Sequence, residues 1–447
     1  MDDRTRELIT APPLPLLAKM ATPNSVAFFI QACVSMTEVW FIGQLGTVSL
    51  AAIALAFPLL MLTQMMSGGA MGGAVAAAIA RSLGAGDIER AEMLIWHTLA
   101  LAALGALSFL TLFLLSGKWF LALLGGTGEV LDASAAYCLV LFSGGISLWL
   151  MGSVSAIYRG MGDMQFPALL MMASAAIQIP LSGILVLGAL GVPSLGVVGA
   201  AVSAVVSATI IAVIMLARLI FGQTTIRLRW SRFGFRKELF DAILNVFKPA
   251  ALSPLFSVAT ILSLTAIVSR FGEQALAGYG IGSRIEFLMV PLVFGLGASM
   301  TSLVGMSVGA NNLERALQVA RTGGLSAFIL AGGIGTLLAL FPGIWIPLFT
   351  NNGDVIAVAT SYIQIVGPAY GFFGLGLSLY FASQGASAMG WPVVVTFARF
   401  VIAVGGAILF SFVLNFELTG IFIATALGMV MYGGGISLAI KLGAWHK

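Results

Sequence analysis

The chain has 447 residues, of which 60% are hydrophobic and only 9% charged, with a mean hydropathy of +1.06. So apolar a composition excludes a soluble globule and marks a polytopic membrane protein. The net charge of +4 does not point to nucleic acid, because the basic residues are distributed by membrane side; the two cysteines, Cys33 and Cys138, sit in apolar stretches and support neither a disulfide framework nor a thiol metal cluster.

The N-terminal stretch Met1 to Leu17 carries acids and prolines, lacks a small-residue cleavage site and leads into a helix too long for a signal-peptide core, so it reads as a cytoplasmic tail. The first apolar window, near 14–42, holds a carboxylate. On a helix of about 3.6 residues per turn, Asn24, Gln31, Ser35 and Glu38 fall within about 60° of one another, so one polar stripe ends at Glu38. Thr37 adjoins it. Pro23 at its foot removes a backbone donor and frees a carbonyl one turn back, as helices that bend around a cavity often require. An ionisable group inside a membrane helix costs about 2.5 to 3.5 kcal/mol on insertion scales, so by default it faces protein or water and marks a functional site. The plainer reading makes Glu38 interfacial: it lies roughly 7 Å of helix before Gly43, and its side chain can snorkel to water.

Further apolar windows near 48–80, 92–116, 134–157, 166–189, 195–220, 246–269, 275–307, 319–346, 357–382, 392–414 and 418–440 bring the expected spans to twelve. The second carries Gln64 as a polar contact, the methionines Met61, Met65, Met66 and Met71, and a glycine run from Ser67 to Gly73. That run lacks the Lys and Ser or Thr of a phosphate loop, so it reads as close helix contact or a hinge. The longest polar stretch, Phe221 to Lys248, divides the spans six and six; its basic and aromatic mixture fits either a segment lying on an anionic inner leaflet or a solvated linker. In the eighth span Arg284 and Glu286 stand two residues apart and point about 200° away from each other, so each needs a partner elsewhere, and Arg399 in the eleventh is the cation available to Glu286. This charge site reads either as a structural ion pair or as a gate or substrate contact.

With the N-terminus inside, the cytoplasmic segments hold 17 of the 21 Lys and Arg, and the outer loops only Lys118 and Arg270. This bias sets a multi-pass protein of the cytoplasmic (inner) membrane with both termini in the cytoplasm.

The two halves repeat. Pro23, Gly46, Leu50 and Ala51 match Pro249, Gly272, Leu276 and Ala277 at an offset of 226; Gly84, Glu89, Tyr137, Gly160 and Pro167 match Gly309, Glu314, Tyr362, Gly385 and Pro392 at 225. The unit is therefore a duplicated set of six helices, and because six is even the repeats are parallel, related by an axis along the membrane normal. Expected boundaries are a tail at 1–13, an N-terminal lobe at 14–220, a linker at 221–245, a C-terminal lobe at 246–441 and a tail at 442–447.

Trp40 to Gly46 followed by Leu50-Ala51-Ala52, Gly84-Ala85-Gly86-Asp87 followed by Glu89-Arg90-Ala91, Arg159 to Asp163 with Pro167, and Leu195 to Ala201 resemble the multidrug and toxic compound extrusion (MATE) family of cation-coupled efflux carriers. The resemblance covers nearly the whole chain and implies an all-α polytopic fold of twelve transmembrane helices in two pseudo-symmetric six-helix lobes set in a V. Departures fall at functional positions. Glu38 stands where many similar members carry aspartate, and Gln178 and Ser182 stand in the fifth helix where the DNA-damage-inducible F branch often has Asn and Asp. The acids typical of the seventh and tenth helices in the sodium-coupled branch have no counterpart here. Glu38 and Glu286 are thus the acids deep within spans, and the position matching Glu38 in the second copy is Leu264, so ion coupling is expected in the N-terminal lobe.

The reading is a secondary active antiporter that exports amphipathic, cationic organic compounds in exchange for protons, or for sodium if Gln31, Ser35 and Thr37 supply oxygens around Glu38. It needs no cofactor beyond the coupling cation and acts as a monomer in the bilayer. The alternatives are a flippase or exporter of a lipid-linked or anionic amphiphile, and, in another class, a channel or non-transporting scaffold. No enzyme motif is present, since His97 and His446 are isolated.

Overall fold

The structure, a computed structural model, describes residues 3–446, and these contain helices and no strand. A short helix, Asp3–Thr10, precedes the first span. The spans are α1 (Pro13–Gly43), α2 (Thr47–Gly84), α3 (Ile88–Leu123), α4, α5 (Gln165–Leu187), α6 (Val197–Phe221), α7 (Lys237–Phe271), α8, α9 (Leu313–Leu340), α10 (Gly353–Gly385), α11 (Gly390–Val413) and α12 (Glu417–Lys441). α4 is a bent pair, Gly128–Ser143 and Gly145–Gly160, turning by 52°. α8 joins Glu273–Ser283 to Ile285–Gly309. Twelve spans follow if the bent pair counts as one, the number expected from hydropathy.

The chain forms two compact units, residues 26–244 with 1–6, and residues 7–25 with 245–447. The first half of α1 therefore packs with the C-terminal helices. Ser25 Oγ donates to the Leu292 carbonyl at 3.2 Å, and a Cβ on Gly295 would lie 2.3 Å from Ser25 Oγ. Pro23 lies inside α1 just before this division, and Pro249 occupies the matching place inside α7.

The repeat is legible in the backbone. Gly46 and Gly272 open α2 and α8 with φ of +109° and +99°, a region that L side chains rarely adopt. After α2 and α8 the chain turns through Gly86 and Asn311, both left-handed, and then Asp87 and Asn312 cap the next helix, each accepting from the amide three residues on at 2.9 Å. Close approach repeats too. A Cβ on Gly160 would lie 2.9 Å from the Ala76 carbonyl, and one on Gly385 would lie 2.6 Å from that of Thr301. Ala76 and Thr301 are themselves 225 apart, so the same crossing is built twice. In α2 the glycine run forms a π-helical turn, Met65–Met71, and a Cβ on Gly72 would come within 3.0 Å of the Arg159 guanidinium.

Candidate functional site

Within the N-terminal unit the polar groups converge on Glu38. Its half-buried carboxylate accepts from Gln178 Nε2 at 2.9 Å, and Ser203 Oγ lies 3.5 Å away, its one proton shared with the Ala200 carbonyl at 2.8 Å. Gln178 Oε1 lies in turn 3.3 Å from the Ser207 hydroxyl, whose one proton it shares with the Ala204 carbonyl at 3.1 Å. Ser182, one turn on from Gln178 and fully buried, also acts on the carboxylate, at a range longer than a hydrogen bond. Tyr137 of α4 is buried and within electrostatic reach of the same group. The constellation therefore takes residues from α1, α4, α5 and α6.

Local sequence explains why these helices come so close. Gln178 and Ser182 on α5, and Ser203 and Ser207 on α6, are each four apart and share a helix face. Small residues between them allow near contact: a Cβ on Gly199 would lie 2.6 Å from the Leu185 carbonyl carbon, and one on Gly183 would lie 3.0 Å from the Phe41 ring. Immediately beyond Glu38 the site is closed by an apolar cluster that includes Ile42, Tyr137, Phe142, Val186 and Ala200. A hydrogen-bonded carboxylate set beside such a cluster exchanges a proton or a cation only through the polar side of its environment.

The α1 stripe is distributed differently. Asn24 is buried and falls in the unit that holds residues 7–25. Ser35 is exposed and donates to the Gln31 carbonyl at 3.4 Å, while Thr37 donates to that of Cys33 at 2.9 Å. Both hydroxyls serve their own helix, and the groups that reach Glu38 come from other helices. Gln64 is exposed on α2. Ser203, Ser207 and Tyr137 were not singled out for this site; the signal available was a serine pair at helical spacing in the alanine-rich sixth span.

In the C-terminal unit Glu286 is half-buried, is attracted by Arg399 and is within electrostatic reach of the Tyr362 hydroxyl. Arg399 sits 5.1 Å from the ring centroids of both Phe373 and Tyr432. Arg284 is exposed, 5.5 Å from the Phe349 ring, so the two neighbours in sequence diverge. Tyr279 packs edge-on to Tyr362 at 5.5 Å, and the buried Tyr370 hydroxyl has no partner at hydrogen-bond distance. Among the described residues no group of three or more His, Cys, Asp or Glu is placed to hold a metal ion.

The MatE family profile matches the chain twice, at residues 23–184 and 249–409. The "Probable multidrug resistance protein NorM" of Thermotoga maritima is 27% identical over 381 residues, covering 85% of this chain and 82% of that protein. The "FAD transporter" of Shewanella oneidensis is 26% identical over 401 residues, covering 86% and 84%. Among solved structures, an outward-facing multidrug resistance MATE family transporter is similar with a TM-score of 0.90 at 23% identity, over 100% of this chain and 99% of that one.

Proposed function

Because the chain belongs to the MATE family of multidrug efflux transporters, we propose that it is a secondary active antiporter in which Glu38 couples export of amphipathic, cationic organic compounds to entry of protons. The observation that supports this is the Glu38 carboxylate held by Gln178 and Ser203 beside an apolar cluster. Ion and substrate must compete for one state in an antiporter, and a lone carboxylate allows this simply: charged it attracts a cation, protonated it releases one. Its neighbours favour the proton over sodium. The group closest to the carboxylate is the Gln178 N–H, a donor, whereas sodium needs several oxygens that present lone pairs. We infer a monomer in the cytoplasmic (inner) membrane; the distribution of Lys and Arg favours both termini in the cytoplasm.

A second reading is favoured by one relative. The Shewanella protein named as an FAD transporter is as similar to this chain as a drug-efflux relative, and FAD is an anionic dinucleotide. Two arginines within spans, Arg284 and Arg399, favour such a substrate, Arg284 being the one that does not face Glu286.

The test is pH-gradient-driven efflux in proteoliposomes, wild type beside Glu38→Gln, which mimics the protonated carboxyl permanently. Coupled flux is expected to be lost while the protein still inserts, and Glu38→Asp is expected to retain part of it. Undiminished coupled flux in Glu38→Gln overturns the assignment. A cationic dye and an anionic dinucleotide run side by side separate the two substrate classes.

A further inference from the structure

The connector between α6 and α7 is fixed to the first turns of α3. Arg227 N donates to Glu92 Oε1 at 3.2 Å, Trp96 Nε1 donates to the Arg229 carbonyl at 3.1 Å, and Arg236 N donates to His97 Nε2 at 2.9 Å. Glu92 is buried and also faces Arg229 at 3.4 Å and Arg232 at 3.9 Å, and Arg232 pairs with Glu89 as well. Trp96 packs tilted against Trp230 and edge-on against Phe233, each at 5.0 Å between centroids. A solvated linker needs none of these ties.

The outer faces of the same rings remain open. Trp230 is 78% exposed, Phe233 54% and Phe235 56%. Their depth can be read from α3. From Thr98 to Gly117 it carries no charge, and Lys118 follows. Twenty residues rise roughly 30 Å, the thickness of the hydrocarbon core. Trp96 and His97 therefore stand at the boundary, and the rings docked on them lie at headgroup level, where Trp is enriched. Arg236 and Lys237 are exposed beside them, and the Arg229 side chain is 55% exposed. Each basic side chain near an anionic surface favours binding by about fivefold.

We propose that residues 229–237 form an interfacial seat for anionic phospholipid headgroups, with Trp230, Phe233 and Phe235 entering the headgroup layer and Arg236 and Lys237 pairing with lipid phosphates. The seat clamps the connector to the bilayer surface at the end of α3, independently of what is transported.

The experiment uses the full chain carrying Cys33→Ala, Cys138→Ala and Ser231→Cys, labelled at residue 231 with an environment-sensitive fluorophore. It is reconstituted in nanodiscs of phosphatidylcholine alone or with one third phosphatidylglycerol, each with a headgroup-proximal nitroxide lipid. Strong quenching is expected in the anionic discs. It should fall several-fold in neutral discs, in Arg236→Gln/Lys237→Gln, and in Trp230→Ser with the charges intact. Raising salt to about 1 M on the segment that carries only Ser231→Cys should bring quenching in the anionic discs down to its value in neutral discs while the connector stays docked on α3. An unquenched, water-exposed label in both compositions overturns the proposal by showing a solvated linker. Equal quenching in both, or a label shielded from water but not quenched by lipid, overturns it as well, the last by pointing to a protein partner.

Discussion

A carboxylate that gains and loses charge in each cycle needs neighbours that tolerate both states. In the proposed cycle Gln178 and Ser203 allow this because both are uncharged, while a fixed cation would pin Glu38 in its charged form. Their contributions should differ with geometry. Hydrogen bonds to a charged group contribute about 1.5 to 3 kcal/mol, and the Gln178 contact at 2.9 Å is much better formed than the Ser203 contact at 3.5 Å. Gln178→Ala is therefore expected to lower gradient-driven flux by roughly tenfold or more, and Ser203→Ala by less than about threefold. Initial rates in proteoliposomes at matched protein density decide it; equal losses would show that the serine is not secondary. Ser207→Ala should act through Gln178, so its effect should vanish in a Gln178→Ala background.

Helix crossings are set by glycines that sit against a neighbour's carbonyl. A methyl at Gly160 or Gly385 would collide with the Ala76 or Thr301 oxygen, so Gly160→Ala and Gly385→Ala should each destabilise by about 1 to 3 kcal/mol. Gly43→Ala, where nothing lies within 4 Å, should be neutral. Thermal unfolding in detergent compares the three. Much of this architecture was legible beforehand, because a motif such as Gly-Ala-Gly-Asp carries its turn and cap in four consecutive residues, and its echo at Gly309 to Asn312 carries the same. The carboxylate was legible for a similar reason: an acid inside an apolar span stands out. Its partners were not. The stripe on α1 puts Gln31 and Ser35 on the face of Glu38 with Thr37 beside it in sequence, yet the Ser35 and Thr37 hydroxyls are used by backbone carbonyls one turn back, as serine and threonine commonly are inside a helix. Gln178 and Ser182 emerged only from family resemblance. Which face of α6 meets α1 is a tertiary fact, and a serine in an alanine-rich span carries no sign of it.

Duplication produced two units of one architecture, but only one of them kept the carboxylate site. Under the repeat offset of 225, Gln178 and Ser182 correspond to Ala403 and Ala407, and under the offset of 226 that holds in the first helix Glu38 corresponds to Leu264; all three counterparts are buried. Gly199 and Gly420 make the same close contact, with the carbonyl carbons of Leu185 and Phe410, so Ser203 and Ser207 correspond to Ala424 and Gly428. The second copy thus fills the place of the polar site with small apolar side chains: a Cβ on Gly428 would lie 3.2 Å from Ala403 Cβ, and one on Gly406 would lie 3.1 Å from Ala424 Cβ. Moving the acid should therefore fail for a specific reason. In Glu38→Leu/Leu264→Glu the new carboxyl would meet no amide and no hydroxyl from these positions, and an unpaired buried polar group costs roughly 2 to 7 kcal/mol. The double variant is expected to unfold at lower temperature than Glu38→Leu alone and to show no gradient-driven flux. Leu264→Gln, uncharged at every pH, should lose less stability than Leu264→Glu when both are measured at alkaline pH. Recovery of coupled flux in the double variant would mean that either unit can carry the ion, and that the asymmetry at Glu38 is incidental to coupling.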